Sequence, residues 1–333
     1  MNEIELNLKD ILRSYPLRVS ITDYCNLHCF FCSNEGMERD RRNQEHLDVN
    51  KFDFLLGVLA ANGLKQVSLT GGEPTLHPGL EDIVRILKKH EIKETFFHTN
   101  GIRLTDRLMD EGIKEFTKIA ISLHASNYET WTRLTGGSLF QYYSLQRNLE
   151  KIRNGCFENI VEIKHVPIRG YNDGEKDVKY ILDLCDRHGF KFKFLSFEAI
   201  EEEHLPLVVP YDQFRVKLER LGCIELTKKM FFRGQTDYLP ATWYSYGSTK
   251  GVAIEIGCGK TDVCRACYAS NEIFLTPSFE IKPCHISDHR IPLNEAIERR
   301  DTETILKSII ESREFLRGMP GQNSLHWRKD RHE

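Results

Sequence analysis

The sequence predicts an α/β protein built on a partial (β/α)6 TIM-like barrel with a C-terminal extension. Six segments of strand-like period alternate with segments of helical period, an order typical of parallel strands joined by right-handed helical crossovers. Several of these strands keep one polar face, whereas parallel strands that are buried on both faces are apolar throughout. The unusual loops follow the strands, at the end where α/β barrels carry their active sites.

The period of the apolar residues locates the strands and the helices between them. Strands are predicted at 17–22, 65–70, 94–98, 117–123, 160–166 and 190–195. Helices are predicted near 50–62, 78–91, 104–112, 140–154 and 175–188. We assign the barrel to residues 15–200 and a C-terminal region to residues 201–333. That region is predicted to contain a linker, a helix near 211–221, a loop-rich stretch and a long helix near 293–315.

The polar strand faces separate two architectures that fit this order, an open doubly wound sheet and a partial barrel. Alternate residues of a strand point to one face, and charged or polar side chains recur on one face of several strands. These candidate substrate contacts are Arg18, Gln66, Ser68, Glu162, Lys164 and Lys193. An incomplete barrel around a polar substrate accommodates such faces better than a closed barrel with a packed interior.

Composition and charge exclude several classes of function. The chain has 333 residues, 40% of them hydrophobic and 29% charged, and its net charge of −3 gives no reason to expect nucleic acid or an anionic membrane as a partner. No apolar run reaches the roughly 18 residues of a membrane span, and the first residues do not form a basic signal sequence. Ten cysteines in this setting favour metal ligation over disulfides and predict a cytoplasmic protein.

Three cysteines follow the first predicted strand with the spacing C-x3-C-x2-C: Cys25, Cys29 and Cys32. Iron–sulfur clusters are normally held by four Cys thiolates. Three thiols hold three irons of a four-iron cluster and leave the fourth iron open to a group that is not protein. A zinc knuckle, or thiols that pack as small apolar groups, is the alternative.

A second unusual loop follows the second strand at Gly71, Gly72 and Glu73. Paired glycines let the backbone approach a ligand closely, and the carboxylate supplies an acceptor for a cationic group. The third and fourth strands end near Asn100 and Ser122. Because the carboxyl ends of barrel strands meet at one rim, we expect these residues around one opening.

The three-cysteine loop, the Gly-Gly-Glu-Pro run and the strand order resemble the radical S-adenosylmethionine (SAM) superfamily. In that superfamily SAM chelates the open iron of a [4Fe–4S] cluster, and one electron cleaves it to a 5′-deoxyadenosyl radical that abstracts hydrogen from a substrate. The resemblance implies that Cys25, Cys29 and Cys32 bind the cluster. The implied SAM contacts are Gly71, Gly72 and Glu73 at the methionine amine, Asn100 and Ser122 elsewhere, and Tyr24 or Phe31 beside the adenine.

A second group of cysteines lies in the last third of the chain with the spacing C-x5-C-x2-C-x16-C: Cys258, Cys264, Cys267 and Cys284. By spacing alone a zinc ribbon fits this group. The region also resembles the C-terminal part of the GTP 3′,8-cyclases of molybdenum-cofactor biosynthesis. That resemblance implies an auxiliary [4Fe–4S] cluster on Cys264, Cys267 and Cys284. Cys258 is left as a fourth ligand, a hydrogen-atom donor or a bystander.

Departures from the cyclases fall where those enzymes hold the triphosphate of GTP. Gln66 and Ser68 stand where the cyclases alternate Lys and Arg, and Glu162 replaces a Lys. The two Arg after the C-x2-C pair and the C-terminal diglycine also have no counterpart in this sequence. The retained cations are Arg18, Arg169 and Lys193. A triphosphate needs several cationic donors, so a smaller polar substrate is expected.

We therefore predict a radical SAM enzyme that acts on a nucleoside, nucleotide or sugar in cofactor or natural-product biosynthesis, by a cyclase-like or rearrangement reaction. Its expected partners are the small substrate and a reducing protein such as flavodoxin or ferredoxin. An epimerase, dehydrogenase or peptide-modifying enzyme of the same superfamily, using Cys258 or the second cluster, is the first alternative. A zinc or electron-transfer protein without radical chemistry is the second.

Overall fold

The computed structural model describes residues 8–32, 44–105, 108–109, 112–154, 160–199, 202–232, 237–255, 272–284 and 288–317. The strands within these residues are β1 (Leu17–Ser20), β2 (Gln66–Thr70), β3 (Glu94–Thr99), β4 (Lys118–Ser122), β5 (Val161–His165), β6 (Lys191–Leu195), β7 (Ile224–Phe232), β8 (Asp237–Tyr246), β9 (Thr249–Ile254), β10 (Ile273–Leu275), β11 (Glu280–Lys282) and β12 (Ile291–Pro292). All of them belong to one sheet.

The sheet is open and mostly parallel. Its spatial order is β12-β11-β10-β1-β2-β3-β4-β5-β6-β9-β8-β7. From β10 through β1 and β6 to β9 all neighbours run parallel, and the strands outside this block pair antiparallel at both edges. Among the described strands, β12 and β7 form the two edges and do not pair with each other. The predicted partial TIM-like barrel is confirmed.

Several α-helices of the described residues connect successive parallel strands. The described α-helices are α1 (Leu8–Ser14), α2 (Val49–Ala61), α3 (Leu80–Lys89), α4 (Tyr128–Thr135), α5 (Leu139–Asn154), α6 (Glu175–His188), α7 (Tyr211–Arg220), α8 (Asn294–Glu298) and α9 (Thr302–Arg317). Local signals fix several ends: Asp48 caps α2 by accepting two backbone N–H groups, and α6 ends at Gly189 in the left-handed conformation. The helix predicted near 104–112 falls partly outside the described residues.

The apolar faces of the central strands form the core with the helices. Val67 and Leu69 of β2 and Ile119 and Ile121 of β4 are fully buried in one cluster with helix side chains such as Phe52. The opposite face of the same strands carries the predicted polar residues. That alternation places the polar side chains on the concave side of the open barrel.

Of the stretch predicted to be rich in loops, the described residues 224–232 and 237–254 are mostly β-strand, so the prediction was wrong there; residues 256–271 lie outside the described residues. Residues after α7 form the antiparallel strands β7, β8 and β9. The consecutive aromatic residues Trp243 and Tyr244 of β8 point to opposite faces, so that Tyr244 is fully buried and Trp243 is 38% exposed. Cross-strand pairing therefore overrides the turn-like composition, including Pro240 within β8. These strands continue the sheet of the barrel, and the predicted domain division at residue 200 stays a prediction.

Two helix predictions also need correction. The long helix predicted near 293–315 is two helices, α8 and α9, because Arg300 between them adopts φ 54°. Asp301 then restarts the chain as a helix by accepting the N–H of Thr304 at 3.0 Å. Helix α4 was not predicted, although Asn127 caps its start and Gly136, with φ 66°, ends it.

Candidate active site

A cavity of about 250 Å³ opens at the carboxyl ends of the central parallel strands. We call residues 22–32 the cysteine loop and residues 70–74 the glycine loop, and both border this cavity. Many predicted site residues line it together: Arg18, Cys25, Cys29, Phe31, Cys32, Gly71, Gly72, Glu73, Asn100, Ser122 and Lys164. Residues widely separated in the sequence therefore share one opening.

The glycine loop packs directly on the backbone of the cysteine loop. Gly72 donates its N–H to the carbonyl oxygen of Thr22 at 2.7 Å, and Glu73 donates its N–H to that of Tyr24 at 2.8 Å. A Cβ on Gly71, whose φ is 138°, would lie 2.3 Å from the Thr22 oxygen. A Cβ on Gly72 would lie 2.1 Å from the Tyr24 oxygen. Any side chain at either glycine would separate the two loops.

The Glu73 carboxylate is held in a cradle of hydrogen bonds at the cavity wall. Its Oε1 accepts the N–H of Thr75 at 3.1 Å, the Thr75 hydroxyl at 2.7 Å and the Thr99 hydroxyl at 2.6 Å. Its Oε2 accepts the N–H of Asn100 at 2.7 Å. Glu73 is only 1% exposed, and burial raises its pKa although the hydrogen bonds act the other way.

Asn100 links this cradle to the cysteine loop. Its side-chain nitrogen donates to Oδ1 of Asn26 at 2.7 Å, while its own Oδ1 accepts the N–H of Ile102 at 3.0 Å. The carbonyl oxygen of Asn26 accepts in turn from the side chain of Gln141 on α5, at 2.9 Å. The amide of Asn100 is thus fixed at both ends.

Helix α4 and the turn after it support the other side of the cysteine loop. The N–H of His28 donates to the carbonyl oxygen of Thr135 at 2.7 Å, and that of Phe30 to Leu134 at 3.2 Å. Both acceptors lie in the last turn of α4, where carbonyl groups have no partner within the helix. The end of α4 therefore sets the position of the loop.

His124 brings a neutral imidazole to the cavity wall. Its Nδ1 accepts the N–H of Val166 at 3.2 Å, so the ring proton resides on Nε2. Its ring meets Phe31 edge to face, with 4.9 Å between the centroids. Burial, with added repulsion from His165 and Lys164, lowers its pKa well below the usual value.

Comparison with known proteins identifies the family. Residues 19–185 match the family model described as the radical SAM superfamily. The chain belongs to the radical SAM superfamily. It is 34% identical to a probable GTP 3′,8-cyclase of Saccharolobus islandicus, over 88% of this chain and 90% of that protein. It is 28% identical to a GTP 3′,8-cyclase of Clostridium perfringens, over 89% of this chain and 88% of that protein.

The fold also matches a solved structure. With SuiB of Streptococcus suis bound to its precursor peptide SuiA, the TM-score is 0.62 at 13% identity. The match covers 89% of this chain and 65% of SuiB, and at this identity it concerns the fold alone.

Family membership confirms the predicted enzyme class, the [4Fe–4S] cluster and SAM. An auxiliary cluster stays a prediction. Within the described residues, no helix is both long and apolar enough to cross a membrane.

The cysteine loop fits a radical SAM cluster in its donor chemistry. Cys25 and Cys29 are half-buried, Cys32 is exposed, and all three line the cavity that Glu73 also borders. The N–H of Leu27 lies 3.4 Å from Sγ of Cys25, a contact of the kind that tunes cluster sulfurs. Among the described residues, no three Cys, His, Asp or Glu side chains converge on one metal ion. In a four-iron cluster each thiolate binds a different iron, so the three thiols need not converge on a single ion.

Two groups of ion pairs lie on the polar face of the sheet. Arg18, which lines the cavity, has its Nη1 3.3 Å from the Glu272 carboxylate. Glu162 on β5 lies 3.6 Å from Nζ of Lys118 and 3.8 Å from Nζ of Lys193, which come from the neighbouring strands β4 and β6. The predicted substrate contacts Arg18, Glu162 and Lys193 are thus engaged with charges of the chain itself.

Some predicted site residues do not line the cavity: Tyr24, Gln66, Ser68, Glu162, Arg169 and Lys193. Ser68 is fully buried, and its hydroxyl lies 2.9 Å from Nε2 of His98. Arg169 is exposed and donates from Nε and Nη2 to the carbonyl oxygen of Val208, at 3.2 and 3.1 Å. The binding roles of these residues stay predictions.

The second cysteine group is described in part. Cys258, Cys264 and Cys267 lie outside the described residues, and Cys284 is half-buried. Cys284 follows β11, which runs antiparallel to β10, and β10 is parallel to β1. It therefore lies toward the amino ends of the parallel strands, opposite the end that carries the cysteine loop.

Several lining residues were missed from the sequence: Thr99, Trp131, Thr135, Val166, Leu195 and Phe197. Thr99 ends β3 directly before Asn100, so its position after a strand was an available signal. Trp131 and Thr135 belong to α4, whose capping residues Asn127 and Gly136 were the signal for that helix.

Proposed function

We propose that Cys25, Cys29 and Cys32 bind the radical SAM cluster and that SAM occupies the adjoining cavity. One observation carries this proposal: the three cysteines and Glu73 line the same cavity. Backbone hydrogen bonds also join the cysteine loop to the glycine loop. When bound, the cluster and SAM supply a one-electron reductive cleavage whose product removes a hydrogen atom from a substrate. A reducing protein such as flavodoxin or ferredoxin is the proposed electron donor.

The residues around the cavity hold SAM in place in this proposal. Glu73 accepts from the methionine amine, because its Oε2 takes one N–H from Asn100 and a carboxylate oxygen has capacity for more. Gly71 and Gly72 keep the loop close enough to the cysteines to fix that carboxylate. Ser122, at the end of β4, supplies a further polar contact.

The aromatic residues of the cysteine loop are proposed to border the adenine of SAM. Phe31 lines the cavity and packs edge to face against the His124 ring. Tyr24 contributes its backbone carbonyl to the glycine loop. The neutral His124 presents an Nε2–H donor on the same side.

The proposed substrate is a small polar molecule, a nucleoside, nucleotide or sugar, in a cyclase-like or rearrangement reaction of cofactor or natural-product biosynthesis. Relatives over most of the chain are named GTP 3′,8-cyclases, which supports a nucleotide-related substrate. The polar faces of the strands beneath the cavity support a polar substrate. The substrate would lie between the cavity and the end of the barrel that carries Cys284.

An auxiliary [4Fe–4S] cluster on Cys264, Cys267 and Cys284 is part of the proposal, and the position of Cys284 at the opposite end supports it. A Cys258→Ala variant assigns the remaining cysteine. Loss of iron makes Cys258 a fourth ligand, whereas intact iron without turnover makes it a hydrogen-atom donor. Bound zinc in place of iron in this region would contradict the auxiliary cluster.

Anaerobic reconstitution followed by dithionite and SAM tests the proposed function. The wild-type protein should form 5′-deoxyadenosine, and the Cys32→Ala variant should not. Cys223→Ala is the matched control, because Cys223 is buried and does not line the cavity. Failure of the wild-type protein to form 5′-deoxyadenosine overturns the proposal.

A further inference from the structure

Cations and carboxylates of the chain face one another on the concave face of the sheet. Three cations on this face, Arg18, Lys118 and Lys193, lie 3.3 to 3.8 Å from a carboxylate of the chain. The two carboxylates, Glu162 and Glu272, are each only 7% exposed. Glu272 thus pairs with Arg18, and Glu162 pairs with both lysines.

These pairs lie on the strand face that also lines the cavity. Arg18 lines the cavity itself. Glu162 lies on the same strand face as Lys164, and Lys193 on the same face as Leu195, because alternate residues of a strand point the same way. Lys164 and Leu195 both line the cavity, so the ion pairs lie one step deeper along β5 and β6.

The cavity wall is balanced in charge as well. Of its described lining residues, Arg18 and Lys164 are cationic, and Glu73 and Glu198 are carboxylates. A polyphosphate carries several negative charges and requires a site with an excess of cationic donors. The described part of the wall has no such excess.

Burial makes the carboxylates difficult to displace. Separating a buried ion pair leaves an uncompensated charge at high cost, so an entering phosphate would have to compete with a carboxylate that is already in place. A phosphate held beside Glu162 or Glu272 would also face like-charge repulsion in a region of reduced solvent screening. Repulsive elements of this kind give a site its selectivity.

We propose that Glu162 and Glu272 are specificity-determining residues that exclude polyphosphates, so that the substrate is a nucleoside-like molecule with at most one anionic group. This inference rests on the proposed function, because it assumes that the substrate enters the cavity and contacts the strand face below it. The two carboxylates form ion pairs with Arg18 and Lys193, which are cations that a bound triphosphate would otherwise need.

Equilibrium binding to the reconstituted wild-type enzyme with SAM tests the inference without any substitution. The probes are guanosine, GMP, GTP and inorganic triphosphate, titrated at one ionic strength. We expect the affinity for GTP to exceed that for guanosine by less than about tenfold. Inorganic triphosphate should not compete with guanosine for the site. Binding of GTP that is tighter by about tenfold or more overturns the inference.

Variants test whether these two carboxylates are responsible. Glu162→Gln and Glu272→Gln should each raise the affinity for inorganic triphosphate by about tenfold. Glu225→Gln is the matched control, because Glu225 pairs with Arg215 at 2.9 Å and does not line the cavity. If both variants fold and their affinity for inorganic triphosphate is unchanged, Glu162 and Glu272 do not exclude polyphosphates.

The affinity for SAM and the dithionite-driven yield of 5′-deoxyadenosine are measured on the same samples. If both are normal and GTP binds tightly, the inference fails and the proposed function stands. If both are absent, the proposed function fails instead.

Discussion

The backbone N–H of Glu73 donates to the carbonyl oxygen of Tyr24 at 2.8 Å, which joins the glycine loop to the cysteine loop. The same residue carries the buried carboxylate that faces the cavity. A change in either loop therefore moves the carboxylate relative to the thiols. The two sequence motifs act as one structural unit.

Gly72→Ala should separate the two loops, because its Cβ would lie 2.1 Å from the Tyr24 carbonyl oxygen. Overpacking against backbone costs about 1–3 kcal/mol of stability. We expect a lower free energy of unfolding and reduced iron content after reconstitution, measured by denaturant titration and iron assay. Gly174→Ala is the control, because its Cβ would meet only Oδ2 of Asp177 at 3.9 Å. Equal iron content in the two variants contradicts the coupling.

Glu73→Gln should weaken SAM binding by about tenfold or more, because the amide places an N–H donor among groups that already donate to this side chain. An unmatched buried polar group costs about 1–3 kcal/mol, so stability should fall as well. Glu81→Gln serves as control, since Glu81 pairs with Arg85 at 3.7 Å on the surface of α3. The affinity for SAM is measured by titration. An unchanged affinity rules out the proposed contact between Glu73 and the methionine amine.

Asn127→Ala should reduce cluster content through α4. Asn127 accepts the N–H of Thr130 at 2.9 Å, and loss of such a cap costs about 1 kcal/mol. The end of this helix holds the backbone of His28 and Phe30, so a frayed α4 loosens the cysteine loop. Asp48→Ala removes a comparable cap from α2 and should leave the iron content unchanged. If both variants lose iron equally, α4 has no special role in supporting the loop.

The stability of the protein should fall in mild acid, and His165 contributes to this fall. This ring is fully buried, and burial lowers its pKa from 6.5 to about 4. Between these pH values the unfolded chain binds more protons than the folded one, so the free energy of unfolding rises with pH. The stabilising contribution of the neutral His165 is therefore lost as the pH falls from 6.5 toward 4. The shift corresponds to about 3 kcal/mol at most. His165→Asn should weaken this dependence in denaturant titrations at several pH values, and an unchanged slope would contradict the prediction.

Much of the barrel was predictable, because β1 to β6 show a period-two pattern and sit between amphipathic helices. The remaining errors have physical causes. Tyr244 becomes a core residue only when β8 pairs with its neighbours, and that pairing is not local in sequence. The break near Arg300 depends on one left-handed backbone conformation in a sequence that otherwise keeps a helical pattern.

The site was predictable in its motifs and not in its contacts. The spacing of Cys25, Cys29 and Cys32 and the Gly-Gly-Glu run mark two loops. The sequence does not reveal that the glycines approach the backbone of the other loop. Likewise, Arg18 and Glu272 are 254 positions apart, so only the pairing of β1 with β10 brings them together.

The central claim is that the cysteine loop binds a cluster whose open iron takes SAM beside Glu73. The most direct measurement is the electron paramagnetic resonance spectrum of the reduced protein, with and without SAM, in a background that lacks the second cysteine group. That background carries Ser at Cys258, Cys264, Cys267 and Cys284. We predict about four irons per chain and a spectrum that shifts when SAM is added. A protein that binds no iron, or a spectrum that SAM does not change, would contradict the account.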